Sequence, residues 1–388
     1  MIPVRISPFT LDVSPAQSED LRRRLGATRW PTPLAEAGWQ DGTEFAFLRH
    51  LLTHWQHRFC WPEQQARLNR LRHFIARIDG DDIHFVHQRG HGPAPLPLVL
   101  THGWPGAFTE FERIIPLLTD PARHGGKAED AFDVVVPSLP GFGFSSAPSR
   151  PGTSSRRVAQ LWRALMHTLG YQRFGAQGGD IGAGVSVWLG RLYPQEVIGL
   201  HLNYMPASYR PTLGEGDPPL APQEHAFLNQ AADFAATEGA YAALQATRPQ
   251  TLAFALTDSP VGLAAWIVEK FRAWSDCGGE LERVISLDTL LTNLSLYWFS
   301  NSLDASLRIY KENRQAPLQF RSGERVTVPL RFARFPRELP TPPRCYVERV
   351  FSVQRWRDMP AGGHFAALER PVELAEEIRA CFRPLRTG

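Results

Sequence analysis

Asp180 stands in a run of small residues, Gly178-Gly179-Asp180-Ile181-Gly182, that follows the apolar stretch beginning at Phe174 and leads into helical sequence. Gly-x-Asp-x-Gly at a strand-to-helix junction is the pattern of a nucleophile elbow, in which small neighbours let the chain turn sharply and lift one side chain above a sheet edge. Taken alone, the same residues read equally well as an N-cap aspartate between turn glycines. Two further stretches favour the elbow. His102-Gly103-Trp104-Pro105-Gly106 follows a short apolar run. Backbone N–H groups of Trp104 and Ile181 could there converge on a developing oxyanion, each such donor being worth roughly 3 kcal/mol. Near the C-terminus, Gly362-Gly363-His364 follows a strand-like segment and precedes the last helix. With Glu338 directly after the preceding strand, the chain order is nucleophile, acid, histidine. Glu348 and Asp358 are rival acids, although Glu348 reads as mid-helix and Asp358 lies close to His364 in sequence.

The elements that must position these residues are legible in the hydrophobic patterning. Residues 1–78 read as helical and rich in aromatics, with Ser14-Pro15 opening one helix and no strand alternation. From about residue 80 the texture changes. Asp81–Gly90 alternates like a strand, whereas Leu96–Gly103 and Phe132–Gly141 are continuous apolar runs of the kind buried on both faces of a parallel sheet. Val158, Leu161, Trp162, Leu165 and Leu169 form one face of an amphipathic helix that ends on Gly170. Strand-helix alternation of this kind gives an α/β fold with right-handed crossovers over residues 79–205. The alternation breaks over residues 206–318, which read as helices inserted like a lid, and strand signals resume at Val326 and Phe351 within residues 319–388.

Composition narrows the partner. The formal charge of +3 with scattered arginines gives no basic stripe for nucleic acid, and the longest apolar run, Pro260–Val268, is too short to span a bilayer. No secretory leader pattern opens the chain, and four widely spaced cysteines suit reduced thiols, so a cytoplasmic setting is expected. His50, His54 and His57 share one helical face at a spacing that could present metal ligands, but no acid joins them and the chemistry needs no metal or other cofactor. Surface or packing histidines are the plainer reading. A small, weakly charged molecule is the expected partner, and self-association into a homo-oligomer is left open.

Together, GGDIG, HGWPG and GGHFAALERP, the helical N-terminal region, and the segments DSPVGLAAWIVEKF and RIYKEN resemble the microsomal-type epoxide hydrolases, the group that includes juvenile hormone epoxide hydrolases. The resemblance spans nearly the whole chain. It implies an α/β-hydrolase core with a mostly parallel sheet, a helical lid, and an N-terminal region that wraps the core. It further implies that Asp180 is the nucleophile, His364 the base and Glu338 its acidic partner. Tyr241 and Tyr310 would be lid tyrosines that bind the epoxide oxygen, and the Trp104-Pro105 peptide would be cis. The mammalian microsomal pattern includes an N-terminal membrane anchor; no such segment is read in this sequence, so membrane attachment is not among the expectations carried over.

An aspartate suits an elbow whose substrate has no carbonyl. Attack on a saturated epoxide carbon needs an ionised carboxylate, which a helix N-terminus and nearby N–H donors favour. Tyrosine hydroxyls, neutral at pH 7, can then protonate the departing alkoxide. The resulting ester has the acyl carbon that water, His364 and the Trp104 and Ile181 N–H groups can resolve to a diol. A dehalogenase could use the same aspartate, but many of that kind carry tryptophan directly after the nucleophile, where this chain has Ile181. A non-catalytic ligand-binding protein on the same fold is the remaining alternative.

Overall fold

The computed structural model describes residues 5–34 and 36–386. Its centre is a nine-stranded sheet of β1 (Arg5–Phe9), β2 (His73–Ile78), β3 (Asp81–Gln88), β4 (Leu96–Thr101), β5 (Phe132–Pro137), β6 (Phe174–Gly178), β7 (Val197–Leu202), β8 (Val326–Arg334) and β9 (Phe351–Asp358). The spatial order is β1-β2-β3-β5-β4-β6-β7-β8-β9. The first three pairings in that order are antiparallel and the rest parallel. β5 and β6 are buried along their whole length, as their unbroken apolar runs require once helices cover both faces.

Helices α1 (Pro15–Gly26), α2 (Phe45–His57) and α3 (Trp61–Leu68) precede β2. A capping box closes the start of α1, where Ser14 and Gln17 exchange bonds with each other's backbone N–H. After β4 come α4 (Ile114–Thr119), then α5 (Ser155–Thr168) behind β5 and α6 (Asp180–Leu192) behind β6. Between β7 and β8 the chain makes six helices: α7 (Pro222–Thr237), α8 (Ala240–Thr247), α9 (Pro249–Asp258), α10 (Pro260–Trp274), α11 (Leu287–Phe299) and α12 (Leu303–Gln315). The N-terminal helices brace this insertion: Trp55 of α2 donates to Ser295 of α11 at 3.0 Å, and Thr43 donates to the Ala265 carbonyl at 2.7 Å. Short α13 (Arg344–Glu348) and α14 (Ala366–Glu369) flank β9, and α15 (Pro371–Phe382) covers the sheet last.

Two strands correct the sequence reading, which found none before residue 80. β1 is an edge strand carrying Pro8, tolerated there because one side of the strand makes no ladder. In β2, His73 and Arg77 interrupt the apolar alternation, yet His73 is buried. It lies 3.0 Å from His84 of β3, which reaches Ser138 at 2.9 Å. A polar chain between strands has replaced the apolar contacts that patterning detects. All four cysteines are free thiols. Among the described residues no single helix is long and apolar enough to cross a membrane.

Candidate active site

The carboxyl ends of the parallel strands converge on one edge, where α/β sheets place ligands. β6 ends at Gly178 and α6 begins at Asp180, whose φ of +47° lies in the left-handed region. That conformation costs a non-glycine residue about 1–3 kcal/mol and persists because packing fixes it. Gly182 is required by the same packing: a Cβ there would collide with the Thr101 carbonyl at the end of β4. The elbow is therefore pressed against the neighbouring strand, and its aspartate stands clear of it.

One Asp180 carboxylate oxygen, Oδ1, accepts the Trp104 N–H at 2.9 Å, while Oδ2 lies 3.6 Å from His364 Nε2. The other ring nitrogen of His364, Nδ1, donates to Glu338 Oε1 at 2.6 Å. A backbone bridge aligns the loops that carry these two residues, with Arg337 N–H donating to the Gly362 carbonyl at 3.1 Å. Side chains of Glu338 and His364 are 1% and 3% exposed. Burial alone would push the imidazolium pKa of His364 down, but the Glu338 carboxylate, helped by Asp180 and Glu110, outweighs it and raises the pKa to about 9. The rival acids are elsewhere: Glu348, the last residue of α13, pairs with Arg344, and Asp358 pairs with Arg334, both partly exposed to solvent.

Trp104 heads an aromatic cluster over Asp180. Tyr241 of α8 stacks on its ring at 5.5 Å and Tyr310 of α12 meets it edge-on at 5.8 Å. Desolvation above all, with the neighbouring Tyr241 and the Asp180 charge adding, keeps the Tyr310 hydroxyl protonated far beyond the usual tyrosine range. Desolvation and the Asp180 charge act likewise on Tyr241. Asp180, Ile181, Tyr241 and Tyr310 line a cavity of about 560 Å³ whose remaining wall is mostly small and apolar, a volume suited to a small ligand. The Trp104-Pro105 peptide is cis. Its loop is clamped from above by α11, where Asn293 donates to the Pro105 carbonyl and Tyr297 to that of Gly106, each at 2.8 Å. Ile181 N–H sits in the first turn of α6, where a helix leaves donors without internal partners.

Segment 6–111 matches the family model described as epoxide hydrolase N terminus, and segment 97–261 matches alpha/beta hydrolase fold. Epoxide hydrolase 1 of Oryctolagus cuniculus is 40% identical over 96% of this chain and 88% of its own length. The chain belongs to the epoxide hydrolase family. Two solved members are similar throughout. Juvenile hormone epoxide hydrolase from the silkworm Bombyx mori has a TM-score of 0.84 at 32% identity, over 99% of this chain and 94% of that one. Aspergillus niger epoxide hydrolase has a TM-score of 0.85 at 31% identity, over 99% and 97%.

In this family member the site also holds residues that sequence reasoning missed. Tyr204, just past β7, meets His364 edge-on at 5.7 Å and lines the large cavity, a position that the strand-end rule could have flagged. Trp274, at the end of α10, lies 5.1 Å from the His364 ring and accepts the His364 N–H on its carbonyl at 2.9 Å. Nothing in its helical context marks it. Glu110, which shares a small cavity with His364 and Asp180, sits four residues beyond Gly106 and drew no notice. The histidine triplet of α2 does not gather: His50 and His57 are exposed, and His54 pairs with Asp288 at 2.8 Å.

Proposed function

We propose that the protein hydrolyses small apolar epoxides to vicinal diols through an ester on Asp180, beneath a helical lid formed by the insertion between β7 and β8. An Asp180 oxygen attacks an epoxide carbon and the ring C–O bond breaks, its electron pair passing to the departing oxygen. Tyr241 and Tyr310 donate to that oxygen and one of them yields its proton. Both phenols resist ionisation, so the proton is withheld until alkoxide forms, and the tyrosine is then restored by the proton that His364 sheds.

The His364 proton can leave because esterification neutralises Asp180. In the resting site the imidazolium is held by two carboxylates and cannot act as a base. Once Asp180 is an ester, one of the charges that raise its pKa is gone and the neutral ring accepts a proton from water. Water oxygen bonds to the Asp180 carboxyl carbon, and the carbonyl electrons move onto the oxygen facing the Trp104 and Ile181 N–H groups. Collapse breaks the bond to the diol oxygen, which takes the proton from His364. The regenerated acid of Asp180 returns a proton to His364 and closes the cycle.

The observation that carries this reading is the single carboxylate of Asp180 reached from one side by Trp104 N–H and His364, and facing two tyrosines across an apolar cavity. Incubation with terminal and internal apolar epoxides should give diols with the wild-type protein and none with Asp180→Ala. Absence of diol across the panel would overturn the proposal, and halide release from alkyl halides in its place would assign a dehalogenase.

A further inference from the structure

Behind Asp180 lies a second, much smaller space. Its volume is about 20 Å³, and its lining includes Asp180, His364, Glu110, Gln177 and Asn203. That is room for one water, which needs two to four polar partners to be held. Among the described residues Asp180 alone lines both this space and the 560 Å³ cavity.

Two polar groups here have no part in the chemistry above. Gln177 of β6 is 1% exposed; its amide nitrogen donates to Asn203 at 2.9 Å, while its Oε1 has no hydrogen-bond partner among the described residues. Glu110 lies in the single turn Phe108–Phe111, and its carboxyl folds back over Gly106 so closely that a Cβ on that glycine would collide with Oε1. The fifth residue of His-Gly-Trp-Pro-Gly is thus glycine because the glutamate occupies the place of its side chain.

We propose that this small space seats the hydrolytic water, with Glu110 and Gln177 as positioning residues that hold it between His364 Nε2 and the carboxyl carbon of Asp180. The assignment rests on the ester reading. Four directions around the water oxygen are then used. One hydrogen points to neutral His364 and the other to Gln177 Oε1; one lone pair accepts from Glu110 and the last faces the carboxyl carbon. Desolvation, with the Asp180 charge adding and His364 opposing, pushes the Glu110 carboxyl up to about 8, so at neutral pH it carries the proton this donation requires. Separate seats also explain how an apolar substrate can fill the large cavity without displacing the water that must follow it.

Rapid acid quenching of single turnovers, with mass spectrometry of the Asp180 peptide, separates ester formation from ester hydrolysis. In Glu110→Leu and Gln177→Met, ester should form at the wild-type rate and hydrolyse ~10- to 100-fold more slowly, so that it accumulates. Glu110→Gln, which keeps a donor, should restore most of the hydrolysis rate lost in Glu110→Leu. Hydrolysis at the wild-type rate in both variants, or equal slowing of both steps, would overturn the water site. Failure to trap ester on Asp180 in any of the proteins would overturn the covalent reading itself.

Discussion

In the proposed mechanism His364 must lose its charge before it can serve as a base, and Glu338 is the largest influence holding that charge in place. Removing the carboxylate in Glu338→Gln should lower the His364 pKa from about 9, read as a downward shift of the pH limb of ester hydrolysis. His364→Gln should still form ester but hydrolyse it ~10²–10⁴-fold more slowly, measurable as burst without turnover. That Asp180, His364 and Glu338 would come together could be expected from the sequence, because each stands in a distinctive setting: glycines around Asp180, a double glycine before His364, and the order in which acid and histidine follow Asp180. The same could not be expected of Glu110, Gln177, Tyr204 and Trp274. Their residue types are ordinary in strands, turns and helices, and only tertiary packing turns them toward Asp180.

At the level of elements, the histidine loop is tied to the segment that ends α10 by the Trp274 carbonyl and by the side chains of Asp276, which accepts Gly362 N–H at 2.9 Å, and Glu369. Glu369 of α14 accepts the N–H groups of Asp276, Gly363 and Phe365 at 2.7–3.0 Å. Glu369→Ala leaves three donors without their acceptor and should lower stability by about 2–4 kcal/mol in urea unfolding. It should also depress kcat, because the loop on either side of His364 loses one of its ties. Unchanged stability would show that these bonds hold nothing. Helices and buried strands could be read from the sequence wherever apolar periodicity was unbroken, as in α5 and β5. β1 and β2 could not, since Pro8, His73 and Arg77 break the pattern, and the pairing of β1 with β2 and of β2 with β3 supplies what the pattern lacks.

Across the molecule, several histidines are buried as neutral rings. Desolvation lowers His102 and His201 from 6.5 to about 4, and lowers His73 and His84 as well. Between those values the unfolded chain binds protons that the folded chain refuses, so stability is full above pH 6.5 and is lost as pH falls toward 4. At pH 5 the loss is roughly 2 kcal/mol for each of His102 and His201. Glu110, Glu369 and His364, raised to about 8, 7 and 9, act in the opposite sense but are outnumbered by the lowered histidines, which include His87 at about 4. The urea midpoint should therefore fall between pH 7 and pH 5, and His201→Leu should narrow the gap. A midpoint that rises would contradict this. The α/β architecture as a whole was legible, because continuous apolar runs alternating with one amphipathic helix leave few other folds. The packing of the insertion over Asp180 was not, since helical periodicity fixes a buried face without naming what that face covers.

The covalent ester on Asp180 is tested most directly by a single turnover in water enriched in heavy oxygen, with protein in excess over epoxide. The expected first diol carries ordinary oxygen, taken from the Asp180 carboxylate, and the label appears in the aspartate and then in diol from later turnovers. Label in the first diol at once would mean that water attacks the epoxide itself and would contradict the account.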